Sequence, residues 1–475
     1  GGCPSDTALD TMGRSAVSLL CVLLLPLLLL QWGHTADVSQ WKSRVIYQIL
    51  TDRFARGNGD NSPCPNLGKY CGGTYKGIIQ HLDYLTELGV DAIWITPIVE
   101  NTPEGYHGYW LKNLYTVNEN FGSADDLRAL IAECHKRNIW VMLDVVANHV
   151  GPVQFDYSGI TPFNETLHYH PYCQITDFNN QHEVEVCRLA DLPDLDQSNP
   201  FVFDALNNWI RDVVGNYSFD GIRIDTVPEV AKSFWPSFAK SSGVYQLGEV
   251  FDGRVDYVAG YQQVLDGVFS YPLFFALRDV FGHQGSMYQL QNLLRDQYPK
   301  FFKDVHALGT MLDNHDNARF LSFQSDPALY KAALSFVLMN EGIPIVYYGS
   351  EQGYAGGNDP NNREPLWPNF NTRNEYFVHI QSLIQARKAL KVAGAAQEQR
   401  YADDQFYAFT RGNVLVATTN VGSHGPTVVR TITYHPYADG TKLCNWFNKQ
   451  DCVTVKNKQF SVTLAGGESK LYFPA

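Results

Sequence analysis

The chain has no block of basic residues. Its 36 Lys and Arg face 49 Asp and Glu, a formal charge of -13. An acidic chain without a cationic patch is a poor partner for nucleic acid or for an anionic membrane, and it suits a neutral ligand. No Gly-rich phosphate loop follows a strand-like run, so nothing marks a nucleotide crevice. No Cys/His spacing reads as a zinc site, and no run has the ligand spacing of an EF-hand. Internal repeats and low-complexity stretches are absent as well.

Cysteine is sparse, nine in 475 residues, and its spacing is local. Cys3 and Cys21 fall in an N-terminal stretch that reads as removable. Residues 1–11 precede Met12, Arg14 supplies a short basic region, 16–30 is an apolar run, and small residues end at Ala36. That order is the order of a secretory signal peptide, here taken as residues 1–36. An uncleaved membrane anchor is the rival, and the shortness of the run and Pro26 count against it. In an exported chain the pairs Cys64/Cys71, Cys173/Cys187 and Cys444/Cys452 read as disulfides, which leaves Cys134 as a buried thiol on a helix-like run. Two triplets, at Asn164 and Asn216, have the form of N-glycosylation sites.

The length exceeds what one compact core holds, so two or three domains are expected. Short apolar runs begin at Val45, Ala92, Trp140, Gly221, Val244, Gly267, Leu308 and Ile343. Amphipathic runs such as 77–88, 124–138, 200–214 and 327–340 lie between them. Alternation of this kind predicts an α/β protein with buried parallel strands, and eight strands fit a (β/α)8 barrel. A doubly wound open sheet is the fallback. The rhythm breaks over 149–196, a loop-like stretch too long to be a plain connection. Beyond 395 the helices stop and period-two alternation predicts an antiparallel β domain.

Four of the apolar runs end in carboxylates with distinctive neighbours: DVVANHV (144–150), GIRIDTV (221–227), QLGEVF (246–251) and MLDNHDN (311–317). Singly, such strand-terminal carboxylates are common. In this order, with these His, Asn and Arg neighbours, they resemble the four signatures of the α-amylase family of glycoside hydrolases. The resemblance runs from about Trp41 to the C-terminus and is nearest to secreted fungal-type enzymes. It implies a TIM barrel over 37–148 and 197–394, an inserted B domain over 149–196 and a C-terminal β-sandwich over 395–475. It also implies a secreted, monomeric, retaining endo-hydrolase of α-1,4 bonds in starch and maltooligosaccharides.

Cleavage with retention needs two carboxyl groups about 5 to 5.5 Å apart. By resemblance Asp225 is the nucleophile, Glu249 the general acid/base and Asp316 the third carboxylate, which steadies the transition state. Arg223 lies two residues before Asp225, on the same strand face, and is expected to keep it ionised and aligned. His149 and His315 resemble the histidines that bond the sugar at the cut. His107, Tyr109 and Trp110 belong to GYHGYW (105–110), which resembles a further sugar-binding segment, with Tyr109 stacking beneath the ring. Asp359 and Arg363 match positions that bind the next sugar. Calcium is implied through Asn148, Glu185, Asp194 and the backbone carbonyl of Glu229.

The pattern departs in two places. Pro228-Glu229 stands where fungal relatives usually carry Lys-His, which predicts weaker binding of the leaving half of the chain. A fungal disulfide is also missing, with Ala259 and Tyr298 near its positions. The first departure keeps an α-glucosidase or glucanotransferase of the same fold as an alternative. A non-catalytic, membrane-anchored barrel protein is a second, although such relatives typically lose the carboxylates retained here.

Overall fold

The computed structural model describes residues 36–475. Residues 1–35 of the expected signal peptide, with Met12, Cys3 and Cys21, lie outside the described residues. Eight parallel strands form one sheet: β1 Ile46–Ile49, β2 Ala92–Ile95, β3 Trp140–Val145, β4 Gly221–Ile224, β5 Tyr245–Gly248, β6 Gly267–Val268, β7 Gly309–Thr310 and β8 Ile343–Tyr347. They pair in the order β6-β5-β4-β3-β2-β1-β8-β7. Phe269, just past β6, bridges in parallel to Gly309 of β7, which closes the ring. The fold is a (β/α)8 barrel.

Almost every strand residue is buried, as expected of strands covered on both faces. Alternation still sorts them. Ile46, Trp94, Met142, Tyr245, Leu247, Phe269 and Ile345 pack into one interior cluster. Tyr47, Ile93, Val141, Ile222 and Val346 join the larger core between strands and helices. The base of the barrel is plugged by Trp41, whose indole Nε1 donates to the Asp220 carbonyl at 3.0 Å. Gly221 makes room for that ring, since a Cβ there would lie 2.7 Å from it.

Local signals set the helices. The helix Ala124–Lys136 opens on a Ser123/Asp126 capping box, and Pro200–Tyr217 opens on Asn199 with proline in the first turn. The run expected over 77–88 is two helices, Tyr75–Gln80 and Leu82–Leu88, broken at His81. His81 leaves helical geometry there and stacks on Phe370 at 3.8 Å. The sixth and seventh apolar runs keep only two residues each of regular strand, because the sixth passes into the helix Tyr271–Leu277 and the seventh into the loop that carries Asn314.

The 149–196 excursion leaves and returns at one place. Val150 N–H donates to the Pro193 carbonyl (3.1 Å) and Leu195 N–H to the Asn148 carbonyl (2.8 Å). Beyond the barrel, β9 Gln397–Ala402, β10 Phe406–Arg411, β11 Val414–Thr419, β12 Val428–Ile432, β13 Lys442–Asn445, β14 Cys452–Thr454, β15 Phe460–Leu464 and β16 Lys470–Pro474 are antiparallel. They form a six-stranded sheet, β9-β10-β11-β16-β13-β14, and a two-stranded one, β12-β15, around a separate core. All three expected disulfides are present, and Cys134 is a buried free thiol. Asn164 and Asn216 are exposed. Among the described residues no helix is long and apolar enough to cross a membrane.

Candidate active site

The site follows from strand periodicity. Interior positions alternate along each strand, and the last ones, at the C-terminal rim, are polar: Gln48 on β1, Asp144 on β3, Arg223 on β4 followed by Asp225, and Glu249 just after β5. Asp225 N–H donates to the Val145 carbonyl (2.9 Å) and Glu249 N–H to the Ile224 carbonyl (2.8 Å), so both sit on continuations of the ladder.

Arg223 is the hub. Its Nη1 bonds Asp225 Oδ1 (2.7 Å) and both oxygens of Asp144 (2.9 and 3.1 Å), and its Nη2 lies 2.8 Å from Glu249 Oε2. One fully buried guanidinium thus meets three carboxylates from three adjacent strands. Glu249 also accepts from Thr226 N–H (3.1 Å) and from the Tyr271 hydroxyl (3.3 Å). Thr226 itself sits at φ 46°, a left-handed conformation unusual for a β-branched residue and typical of strain held at working sites.

Burial pushes Glu249 up to about 8. Arg223 opposes this, and the neighbouring Asp225 and Asp316 add to it. Asp225 rises to about 6, again chiefly through burial, with Arg223 pulling it down and Asp144 pushing it up. The guanidinium therefore aligns Asp225 but does not bring it below the ordinary carboxylate range, because desolvation outweighs the ion pair. Near neutral pH the two groups differ: Glu249 holds its proton and Asp225 is ionised.

A second layer fixes this cluster. Tyr109 donates its hydroxyl to Asp144 Oδ2 (2.7 Å) and contacts His315 Nε2 (2.7 Å), and His315 Nδ1 meets Gln48 Nε2 at 2.8 Å. The network is satisfied when His315 donates from Nε2 and accepts at Nδ1. His149 Nε2 faces the Tyr109 carbonyl (3.2 Å), and His107 Nδ1 accepts from Tyr109 N–H (3.1 Å). Burial lowers all three histidines, His149 to about 4, so they act as neutral hydrogen-bonding groups. The Tyr109 ring lies nearly parallel to those of His107 and His315, with centroids 5.5 and 5.3 Å away, and Trp110 meets His107 edge-on.

Asp316 is 37% exposed and reaches His315 (3.4 Å) and Arg363 Nη2 (3.6 Å). Arg363 is buried, donates to the His315 carbonyl (3.0 Å) and pairs with Asp359 (3.1 Å), so it is no plain surface ion pair. A cleft of about 520 Å³ opens on Asp225, Glu249 and Asp316. Its other walls include Pro228, Glu229, Tyr257, Phe251 and, from the 149–196 excursion, Phe178, Val184 and Leu189.

Gln48 and Tyr271 belong to this site and carry no expectation from the sequence. Asp144, the carboxylate of the first signature, has no role assigned there; the structure puts it on β3 against Arg223. Nothing in the local sequence marks Gln48 or Tyr271.

One end of the Asn148 amide lies 2.8 Å from Asp194 Oδ1 and 2.9 Å from the Glu229 carbonyl oxygen. With nitrogen there it donates to both. With oxygen there, three oxygens converge without a donor, an arrangement that a hard cation satisfies. Glu185 is engaged elsewhere, accepting from Gln181 Nε2 at 3.0 Å. Among the described residues no three His, Cys, Asp or Glu side chains cluster as a metal centre. The oxygen set therefore fits calcium in part, through one carboxylate, one amide and one carbonyl.

Comparison with known proteins agrees with this geometry. The profile of the alpha amylase catalytic domain matches residues 48–411. The chain is 40% identical over 466 residues to an alpha-amylase of Saccharomycopsis fibuligera, covering 92% of this chain and 93% of the relative. It is 40% identical over 468 residues to alpha-amylase 2 of Schwanniomyces occidentalis, covering 93% and 92%. The solved structure of an alpha-amylase from Malbranchea cinnamomea superposes with a TM-score of 0.89 at 39% identity, covering 92% of this chain and 98% of that one. The chain belongs to the alpha-amylase family and is a glycoside hydrolase acting on α-glucans.

Proposed function

We propose that the protein is a secreted, calcium-dependent, monomeric α-amylase that cuts internal α-1,4 bonds of starch with retention of configuration. The observation that carries this reading is Arg223 bonded to Asp225 and Glu249 on adjacent strand ends, facing one cleft. In the first step Asp225 attacks the anomeric carbon while protonated Glu249 gives its proton to the departing glycosidic oxygen. A glycosyl ester forms and the leaving half departs as an alcohol. Glu249, now a carboxylate, takes a proton from water. That water attacks the anomeric carbon and frees Asp225.

Asp316 steadies the charge that develops on the ring. His149, His315, His107 and Arg363 bond its hydroxyls, with Tyr109 and Trp110 as walls and Asp359 at the next sugar. Asp144 and Gln48 position Arg223 and His315. Asn148, Asp194 and the Glu229 carbonyl would hold calcium, whose part is structural; Glu185, expected as a fourth ligand, is bonded instead to Gln181. The working division is a barrel over 37–148 and 197–394, an inserted domain over 149–196 and a β domain over 395–475. A signal peptide over 1–36 accounts for export, and Asn164 and Asn216 would carry glycans.

Pro228 and Glu229 offer the leaving half neither of the cations usual in fungal relatives, which supports weakened binding on that side. The same feature motivates an α-glucosidase or glucanotransferase reading. Product analysis separates the two: mixed short maltooligosaccharides from soluble starch support the endo-hydrolase, whereas glucose alone or cyclic and lengthened glucans support the alternative. For the mechanism, Glu249→Gln should abolish hydrolysis yet bind maltooligosaccharides, because an amide donates no proton to the leaving oxygen. Asp225→Asn should be inactive and form no glycosyl ester. Wild-type turnover in either variant would overturn the assignment.

A further inference from the structure

The 149–196 excursion has six Phe and Tyr rings and buries three, Tyr157, Phe163 and Tyr169. Of the three exposed ones Phe178 lines the catalytic cleft, and the other two lie outside it. Phe155 is 62% exposed and Tyr172 54%. Their rings meet edge-to-face, centroids 5.2 Å apart. Both lie against the guanidinium of Arg188, at 4.8 and 4.9 Å. Arg188 is itself only 5% exposed and is fixed from behind: Nη2 donates to the Gln154 carbonyl (2.8 Å) and the Tyr157 hydroxyl (3.0 Å), and Nη1 donates to the Asp191 carbonyl (3.4 Å).

The backbone on both sides is bent at a cost. Gln154, Ala190 and Asp191 are non-glycine residues in the left-handed region, at φ 55°, 49° and 61°. The Gln154 and Asp191 carbonyls are the ones Arg188 holds. A buried cation and three costly backbone conformations thus keep two apolar rings facing water in a set orientation, where ordinary burial would have hidden them.

The location gives the corner its partner. Leu189, the residue after Arg188, lines the catalytic cleft together with Phe178 and Val184. The corner therefore adjoins the segment that forms the cleft wall. We infer that Phe155 and Tyr172 form an outer glucan-binding corner, gripping a stretch of α-glucan that extends past the cleft. Flat rings at a near-right angle suit a sugar whose C–H face stacks on one ring while its edge rests on the other. A neutral glucan also suits an acidic chain that has no charge to offer it. The inference rests on the α-glucan hydrolase reading and adds to it a preference for polymer over short substrate.

Phe155→Ala/Tyr172→Ala tests it, with Phe155→Leu/Tyr172→Leu as a version that keeps apolar bulk over Arg188 and loses the flat faces. The corner predicts a loss of about fivefold in kcat/KM on soluble starch, of the order expected for one stacked contact. It also predicts weakened adsorption to insoluble starch, with kcat/KM on maltotriose within about twofold of wild type, and both variants should behave alike. Equal losses on starch and maltotriose, or losses confined to the alanine variant together with a lowered Tm, would show that the rings only support the loop and would overturn the site. No loss on either substrate would overturn it too. A wild-type enzyme inactive on both substrates would instead remove the α-glucan reading, and the corner with it.

Discussion

At the scale of single residues, the proposed chemistry rests on two carboxyl groups in different protonation states. Glu249 and Asp225 share one guanidinium, yet burial raises Glu249 to about 8 and Asp225 only to about 6. On the proposed mechanism the productive enzyme has Glu249 protonated and Asp225 ionised. Raising the pH through about 8 strips the acid, and lowering it through about 6 protonates the nucleophile. The pH profile of kcat/KM on a maltooligosaccharide should therefore be a bell with limbs near those values. Activity that stayed level from pH 7 to 10 would show that no proton of Glu249 is required. Much of this was legible in the chain, because Arg223 and Asp225 stand two apart on one strand and Glu249 ends the next. What was hidden is contributed by other strands. Gln48 bonds His315 from 267 positions away, and the Tyr271 hydroxyl reaches Glu249 from the first turn of the helix after β6, so no local pattern reports either.

At the scale of elements, the long excursion after β3 is more than a connection. Its two ends are zipped beside Asn148, the Cys173–Cys187 disulfide closes its middle, and its helix Gln181–Val186 packs on the turn Val227–Glu229 through Gln181 Nε2 and the Pro228 carbonyl (3.0 Å). A cation among Asn148, Asp194 and the Glu229 carbonyl would join the end of β3, the excursion and the turn after β4. Calcium should then stabilise the fold by mass action, by about 2.7 kcal/mol at a hundredfold excess over Kd. Thermal melts with calcium and with a chelator measure it, and identical melting in both would refute the site. The barrel strands announced themselves through buried apolar runs and their spacing. The break at His81 did not, since a ring stacked on Phe370, far along the chain, decides it. The brevity of β6 and β7 was equally unreadable, because the apolar residues after them pass into a helix (Tyr271–Leu277) and a loop rather than further strand.

At the scale of the molecule, a closed ring of strands carries the proposed reacting groups, the excursion walls the cleft, and the C-terminal sheets are bound to the barrel by polar ties. Arg411 Nη1 donates to the Met339 carbonyl (3.2 Å) and Trp446 Nε1 to the Ser382 carbonyl (3.1 Å). On the proposed reading, the C-terminal rim of the barrel is where a long neutral polymer meets the protein. The central claim is that Asp225 attacks the anomeric carbon directly, so that a first inversion is undone by a second. The most direct test is the anomeric configuration of the newly formed reducing end, followed by proton NMR in the first minutes of maltopentaose cleavage, before mutarotation. The account predicts that the α-anomer appears first and drifts toward the equilibrium mixture. Initial release of the β-anomer would mean single displacement by water, and would contradict the assignment of Asp225 as nucleophile.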